Sequence, residues 1–257
     1  MGSWSGGSAP RSAVPGADDE LRNELVGAIR HAAANDPRTL QVRVGPSELG
    51  GPCDRRLAMR MCGVKQVNRV ADPWPSTVGT AIHAWLQGAM ESENTRLGFR
   101  RWITEHRVWA DPMLGGTSDL FDTTSGTVVD WKTVGETRFR ELKSSALAPD
   151  GYMIQANIYG MGWENAGFRV KHVALAMLPR AGNVRDMIFF RSPYDRAIGQ
   201  RAVNRLYSVG AGVRQLREQA GREDVWDLIP GVEDHCGWCP FFRRGAASVS
   251  GEGCPGV

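Results

Sequence analysis

Apolar residues recur at helical spacing in three stretches of the first hundred positions. The stripe Leu21–Ile29 favours an amphipathic helix that begins near Asp18, where acidic residues suit a helix N-terminus. Ser47 is a good N-cap, so a second helix is predicted to begin there and to carry Cys53. A third helix is predicted over about residues 76–97, because large apolar side chains repeat along one of its faces.

Beyond position 100 the pattern changes from helical to alternating. Three consecutive segments rich in Trp, Ile, Val and Thr are predicted as strands, at 101–110, 113–122 and 126–134. The later elements are predicted as a helix at about 150–165, strands at 171–179 and 184–191, and a long helix over 192–220 with Pro193 in its first turn. This order of elements predicts an α/β core with a mixed central sheet flanked by helices.

The composition is that of an ordinary globular protein. Apolar residues make up 42% and charged residues 23% of the 257 positions. No run approaches the roughly 18 apolar residues of a membrane span, and the N-terminus lacks the pattern of a signal peptide. A cytoplasmic location without membrane contact is therefore expected. Residues 1–17, rich in Gly, Ser, Ala and Pro, are predicted to form a disordered tail, and residues 18–257 a single domain.

Motifs and charge exclude some functions and leave others open. Neither a GxGxxG loop nor a Walker sequence follows a predicted strand, so the dinucleotide-binding and P-loop classes are not indicated. The 31 Lys and Arg residues exceed the 28 acidic residues by only three, which is too little to identify a nucleic-acid partner. Function has to be sought in local groups of reactive side chains.

Asp130 and Lys132 are two residues apart on one predicted strand. Because side chains alternate across a sheet, their carboxylate and ammonium face the same side, and Trp131 faces the other side as a core residue. Asp119 lies one strand earlier, and in a hairpin it would converge with Asp130. Two neighbouring carboxylates repel each other and attract a hard divalent cation, whereas either aspartate alone is more simply a solvated charge.

Three further side chains are candidates for the same site. His83, on the preceding helix, suits manganese better than magnesium as a ligand, although a single histidine is more simply a half-buried structural residue. Gln155 and Tyr159 are four residues apart on a predicted helix and therefore share a face. Plain contact between that helix and the sheet would explain them equally well.

Four short motifs follow one another along the chain. They are Gly-x-x-x-His ending at His83, Gly-x-x-Asp ending at Asp119, Asp-x-Lys-Thr beginning at Asp130, and Gln-x-x-x-Tyr beginning at Gln155. In this order and helix–strand context they resemble the RecB-type branch of the PD-(D/E)XK nuclease superfamily, over roughly residues 47–255. The resemblance implies a restriction-endonuclease-like core and DNA as the substrate.

The resemblance also implies a role for each matching residue. The ligands of Mg²⁺ or Mn²⁺ would be His83, Asp119, Asp130 and the backbone carbonyl of Trp131. Lys132 would orient the attacking water. Gln155 and Tyr159 would line the site and contact DNA, and Glu105, in the first strand, is a candidate for binding a second metal through water.

Five cysteines in an apparently cytosolic chain favour metal binding or buried thiols over disulfides. Cys236 and Cys239 form a CxxC motif, Cys254 follows 15 positions after Cys239, and Cys53 precedes Cys236 by 183 positions. A CxxC motif suits zinc, a redox pair or an iron–sulfur cluster, and the redox pair is disfavoured because no thioredoxin-like βαβ unit surrounds it. Zinc and iron–sulfur stay open.

One cysteine before the core and three after it resemble the iron–sulfur RecB-like exonucleases, namely the AddB nuclease domain and the Cas-four family. The resemblance implies a 4Fe–4S cluster in a cap made of segments 47–62 and 234–257, ligated by Cys53, Cys236, Cys239 and Cys254. Cys62 is the spare cysteine, with apolar neighbours that suggest a buried thiol, and it competes with Cys53 as the first ligand.

The expected function is that of a metal-dependent DNA exonuclease acting on single strands or duplex ends, in recombination, repair or phage DNA processing. A phage-encoded chain would act in the host cytoplasm. Because the family includes rings, a homo-oligomer is a further expectation. Two alternatives stand beside this one: a DNA-binding CRISPR-adaptation accessory nuclease that cuts little, and a zinc-stapled domain without catalysis.

Overall fold

The computed structural model describes residues 17–35, 44–68, 72–246 and 253–257. The chain divides into two units, residues 1–41 and 42–257. In the first unit, helix α1 (Ala17–Ala34) confirms the predicted helix, and the side chains of Leu21 and Leu25 are exposed. Apart from Ala17, the predicted tail lies outside the described residues.

The described part of the second unit contains six further α-helices and a five-stranded sheet. The helices are α2 (Pro46–Leu49), α3 (Asp54–Met61), α4 (Trp74–Leu97), α5 (Glu136–Ser145), α6 (Asp150–Asn165) and α7 (Arg196–Ala220). The strands are β1 (Trp102–Asp111), β2 (Leu114–Asp122), β3 (Thr127–Val134), β4 (His172–Pro179) and β5 (Ile188–Pro193). None of the helices in these ranges is long and apolar enough to cross a membrane.

The strands lie in the order β1-β2-β3-β4-β5, and the sheet is mixed. Strands β3 and β4 are parallel, because α5 and α6 carry the chain back to the starting edge between them, and the other neighbours are antiparallel. A tight turn joins β2 to β3, with Gly126 at a φ of +66° that favours glycine. The predicted α/β core with a mixed sheet is confirmed.

Helices cover both faces of the sheet because apolar side chains alternate along its strands. Phe121 and Val128 face α6, and Leu120 and Val129 face α4, where Met90 packs against them. Helix α6 is apolar on nearly every side, since it lies between the sheet and α7. The sheet and α6 together form the base of the candidate site.

The single helix predicted from Ser47 through Cys53 is wrong. Helix α2 ends at Leu49, and Cys53 is the N-cap of α3. The helix is interrupted at Gly50. There the backbone approaches α6 so closely that a Cβ on Gly50 would lie 2.3 Å from the carbonyl oxygen of Gly151. Only a glycine permits that approach, so tertiary packing explains the break.

Two further differences concern the start of α7 and the presence of α5. Pro193 is the last residue of β5, and α7 begins at Arg196, where the side chain of Asp195 accepts a 2.8 Å hydrogen bond from the backbone N–H of Ala197. Helix α5 was not predicted. Its apolar face consists of little more than Phe139 and Leu142, which is too short a pattern to mark a helix by periodicity.

Candidate functional site

The β2–β3 hairpin brings Asp119 and Asp130 together. Leu120 pairs with Val129, so the antiparallel register places Asp119 opposite Asp130. Asp119 is held there because its Oδ2 accepts a 2.8 Å hydrogen bond from the backbone N–H of Trp131. The Trp131 side chain packs on the α4 side of the sheet. The convergence predicted from the hairpin is therefore present.

Lys132 lies between a strand carboxylate and a helix amide. Its Nζ is 2.5 Å from Oδ2 of Asp130 and donates a 3.2 Å hydrogen bond to Oε1 of Gln155 on α6. Asp130 is almost fully buried, with 1% of its surface exposed. The shared face of Asp130 and Lys132 is as predicted, and Gln155 joins them because α6 packs across this face.

A compact set of ligand atoms lies beside this pair. The imidazole of His83 on α4 and the carboxylates of Glu105 and Asp119 each offer an atom within 4.8 Å of the others. Nδ1 of His83 is 3.6 Å from Oδ1 of Asp119. Glu105 thus completes the set formed by His83 and Asp119, and the set does not include Asp130, whose carboxylate is next to Lys132.

Glu105 was the site residue that the sequence placed least well. The pairs Thr104–Leu120 and His106–Ser118 put Glu105 directly opposite Asp119, on the same face of the sheet. Its φ of +43° is unusual for a non-glycine residue within a strand, a conformation that costs about 1–3 kcal/mol. The sequence could have indicated Glu105 only through the register of β1 against β2. A turn between two strands does not by itself fix that register.

Buried polar atoms at the site lack hydrogen bonds. Among the described residues, Oδ1 of Asp130 and Nδ1 of His83 are buried without a hydrogen-bond partner, whereas Oδ2 of Asp130 is paired with the Lys132 ammonium. Native proteins rarely leave such atoms unsatisfied, because each costs about 1–3 kcal/mol. Carboxylate oxygens beside an imidazole nitrogen are a donor set that suits Mn²⁺ or Mg²⁺. The residues present therefore fit a divalent cation.

The charges of the site shift its proton equilibria. Burial raises the pKa of Asp130 to about 6, although the Lys132 ammonium opposes the shift. The adjacent Asp119 carboxylate raises the pKa of His83. Burial lowers the pKa of Lys132, but the charge and hydrogen bond of Asp130, together with the charge of Asp119, outweigh burial and the net shift of the pKa is upward. Lys132 therefore contributes a positive charge to the site at neutral pH.

One face of α6 runs from solvent into the site. Tyr152, Gln155 and Tyr159 follow at intervals of three and four residues, with 37%, 6% and 7% of their surfaces exposed. Tyr159 packs against β2, where a Cβ on Gly116 would lie 2.9 Å from its Cε1. The ring centroid of Tyr152 is 4.9 Å from Nζ of Lys132. Sequence reasoning missed Tyr152, although its spacing from Gln155 was a usable signal.

A separate group of cysteines lines one small cavity between α3 and the C-terminal segment. They are Cys53, Cys236, Cys239 and Cys254. Cys254 is drawn in by backbone hydrogen bonds, since its N–H donates to Phe241 and its carbonyl accepts from Arg243. Cys62 is not among the lining residues and packs against the neighbouring apolar core. Among the described residues, no three of the sulfurs lie within 4.8 Å of one another.

Two arginines bring positive charge to this cavity. Nη1 of Arg55 is 3.8 Å from Sγ of Cys254. Arg56 lines the cavity, and its charge opposes the burial that raises the pKa of Cys239. Helix α3 begins directly after Cys53, so its positive N-terminal end also faces this region. The positive charge favours anionic sulfur, but burial acts against it and raises the pKa of both Cys236 and Cys239.

Comparisons with known proteins give only distant likenesses. No family model matches the chain, and no curated protein matches it. An alkaline exonuclease (LHK-Exo) from Laribacter hongkongensis is 13% identical, with a TM-score of 0.47 over 70% of this chain and 94% of that one. The structure of LHK-Exo in complex with dAMP is 12% identical in sequence to this chain, with the same TM-score and coverage. A phage related exonuclease from Haemophilus somnus 129PT is 11% identical, with a TM-score of 0.38 over 69% and 96%. These values establish neither a family nor an activity.

Proposed function

We propose that this protein is a metal-dependent deoxyribonuclease that hydrolyses phosphodiester bonds, as an exonuclease on single strands or duplex ends. One observation supports this above all: Asp119 and Asp130 converge beside the imidazole of His83 and the ammonium of Lys132, and both Oδ1 of Asp130 and Nδ1 of His83 are buried without hydrogen bonds. Phosphoryl transfer needs such a cation site next to a fixed positive charge. The proposed setting is recombination, repair or phage DNA processing in the cytoplasm.

Each residue has a proposed task. The divalent cation, Mg²⁺ or Mn²⁺, would be held by His83, Glu105, Asp119 and Asp130, with the Trp131 carbonyl as an additional ligand. When bound, it supplies Lewis-acid stabilisation of the phosphate charge and lowers the pKa of the attacking water. Lys132, which stays protonated, orients that water and stabilises negative charge. Gln155 holds Lys132 through its hydrogen bond, and Tyr159 supports the wall of the site.

The test is digestion of end-labelled linear and of circular DNA, single- and double-stranded, with Mg²⁺ or Mn²⁺. We expect cleavage that EDTA abolishes, and losses of at least about 100-fold in Asp119→Ala, Asp130→Ala and Lys132→Ala. Glu218→Ala, an exposed carboxylate change on α7, is the matched control. Near-wild-type cleavage by any of the three variants, with folding verified by circular dichroism, contradicts the proposal. DNA binding without cleavage would instead favour the accessory module.

The cysteine cavity supports a second part of the proposal, a structural 4Fe–4S cluster ligated by Cys53, Cys236, Cys239 and Cys254. Four thiolates around one zinc ion stand about 3.8 Å apart, because each Zn–S bond is about 2.3 Å long. No three of these sulfurs, all of them in the described residues, lie within 4.8 Å of one another, so they do not form the compact set that a single zinc ion requires. The cationic surroundings suit either anionic centre.

Anaerobic metal analysis tests the cluster separately from the nuclease. We expect iron and sulfide in the purified protein, with a brown colour and broad visible absorption. Zinc without iron would overturn the cluster and leave the nuclease proposal intact, since none of the cysteines is assigned a chemical step.

A further inference from the structure

Tyr152 lies where the candidate site meets solvent. It belongs to the first turn of α6 and is 37% exposed, while Gln155 on the same face is buried. Because the ring contacts Lys132 and is itself exposed, a substrate bound at Lys132 lies within reach of it. In the described part of the site, Tyr152 is the aromatic side chain that combines contact with Lys132 and exposure to solvent.

The ring is positioned by its contact with Lys132. The Lys132 ammonium lies 4.9 Å from the ring centroid, a cation–π distance. Lys132 is itself fixed by Asp130 and Gln155, so the ring contacts a group that does not move freely. An aromatic ring that is fixed and partly exposed loses little conformational entropy when a second flat group stacks on it.

We propose that Tyr152 is a nucleobase platform, which stacks against the base of the nucleotide whose phosphate lies at the Lys132–Asp130 pair. This inference rests on the proposed nuclease function and adds a substrate-binding residue to it. Because every base has a π face, the contact would be tolerant of sequence. Stacking acts on bound substrate and transition state alike, so its loss should raise KM more than it lowers kcat.

The experiment combines changes in the protein with changes in the DNA. Single-stranded oligonucleotides carry either normal bases or an abasic residue at the nucleotides flanking the cleaved bond. Wild type should lose about 5- to 150-fold in kcat/KM on the abasic DNA, the range that stacking of one base on an aromatic side chain provides. Tyr152→Leu should show a similar loss on normal DNA and nothing further on abasic DNA.

Two variants separate stacking from a structural effect. Tyr152→Phe keeps the ring and should restore the discrimination between normal and abasic DNA that Tyr152→Leu loses. Tyr207→Leu removes a tyrosine that is 48% exposed and whose hydroxyl donates a hydrogen bond to Asp111 at the end of β1, and this variant should match wild type. Equal cleavage of both DNAs by wild type overturns the platform, as does a Tyr152→Leu variant that still discriminates. A wild type that cleaves no DNA at all instead refutes the nuclease proposal.

Discussion

Protons compete with the metal for two of the proposed ligands. Asp130 has its pKa raised to about 6 by burial, and His83 has its pKa raised by Asp119, whereas ligation requires both to be deprotonated. As pH falls, both groups take up protons, so the Mn²⁺ affinity should drop by up to about tenfold per pH unit for each proton displaced. Titration calorimetry between about pH 8 and pH 5 measures this, and a constant affinity would contradict it.

Lys132 also has a measurable effect on stability. Lys132→Met leaves the buried Asp130 carboxylate without a counter-charge, which costs up to about 3–5 kcal/mol. The folded-state pKa of Asp130 lies above the unfolded value, so the cost is smallest in acid and grows as pH rises through about 6. Urea unfolding in EDTA at low and high pH measures it. The double variant Lys132→Met, Asp130→Asn should recover most of the loss, and a fully stable single variant at high pH would refute the buried pair.

The packing of β2 against its neighbours depends on one glycine. A Cβ on Gly116 would lie 2.9 Å from Pro46 and from Tyr159, so Gly116→Ala should destabilise the fold by about 1–3 kcal/mol through overpacking. Gly88→Ala on α4, where a Cβ meets nothing within 4 Å, should stabilise by about 0.5–1 kcal/mol. Thermal unfolding compares the two variants. Equal shifts would mean that α2 and α6 do not hold β2 as closely as described.

Helices and strands were predictable where apolar residues repeat along one face over many positions. The alternation that separates Leu120 from Phe121 identified the strands, and the stripe through α4 identified that helix within two residues of its start. The short helix α5 was not predicted, because its apolar face is too short to show a period. Hydrophobic periodicity does not reveal the interruption of the helix at Gly50, because its cause is the close approach of Gly50 to α6.

The cysteine cavity joins chain segments far apart in sequence. A ligated Cys53 would cross-link α3 to a segment 183 residues later, and closing so long a loop is worth up to about 4–5 kcal/mol. Cys53→Ala should therefore remove iron and lower the unfolding temperature more than Cys62→Ala, which leaves the cavity lining intact. Iron analysis and calorimetry compare the two variants. A greater loss of iron and of unfolding temperature in Cys62→Ala than in Cys53→Ala would make Cys62 the first ligand.

The sequence by itself determined which residues share a strand face or a helix face. Asp130 with Lys132 and Gln155 with Tyr159 follow from periods of two and of nearly four, which are properties of the local backbone. The motifs also allowed four site residues to be named from the sequence, namely His83, Asp119, Asp130 and Lys132. Their roles stay predictions.

Only the tertiary structure decided which faces meet. Glu105 joins His83 and Asp119 because strand register sets it opposite Asp119, and Tyr152 reaches Lys132 because α6 crosses β3 there. The elevated pKa of Asp130 has the same origin, since burial is a product of packing. Local periodicity fixes directions along one element, but distances between elements depend on register and packing, which no single stretch of sequence encodes.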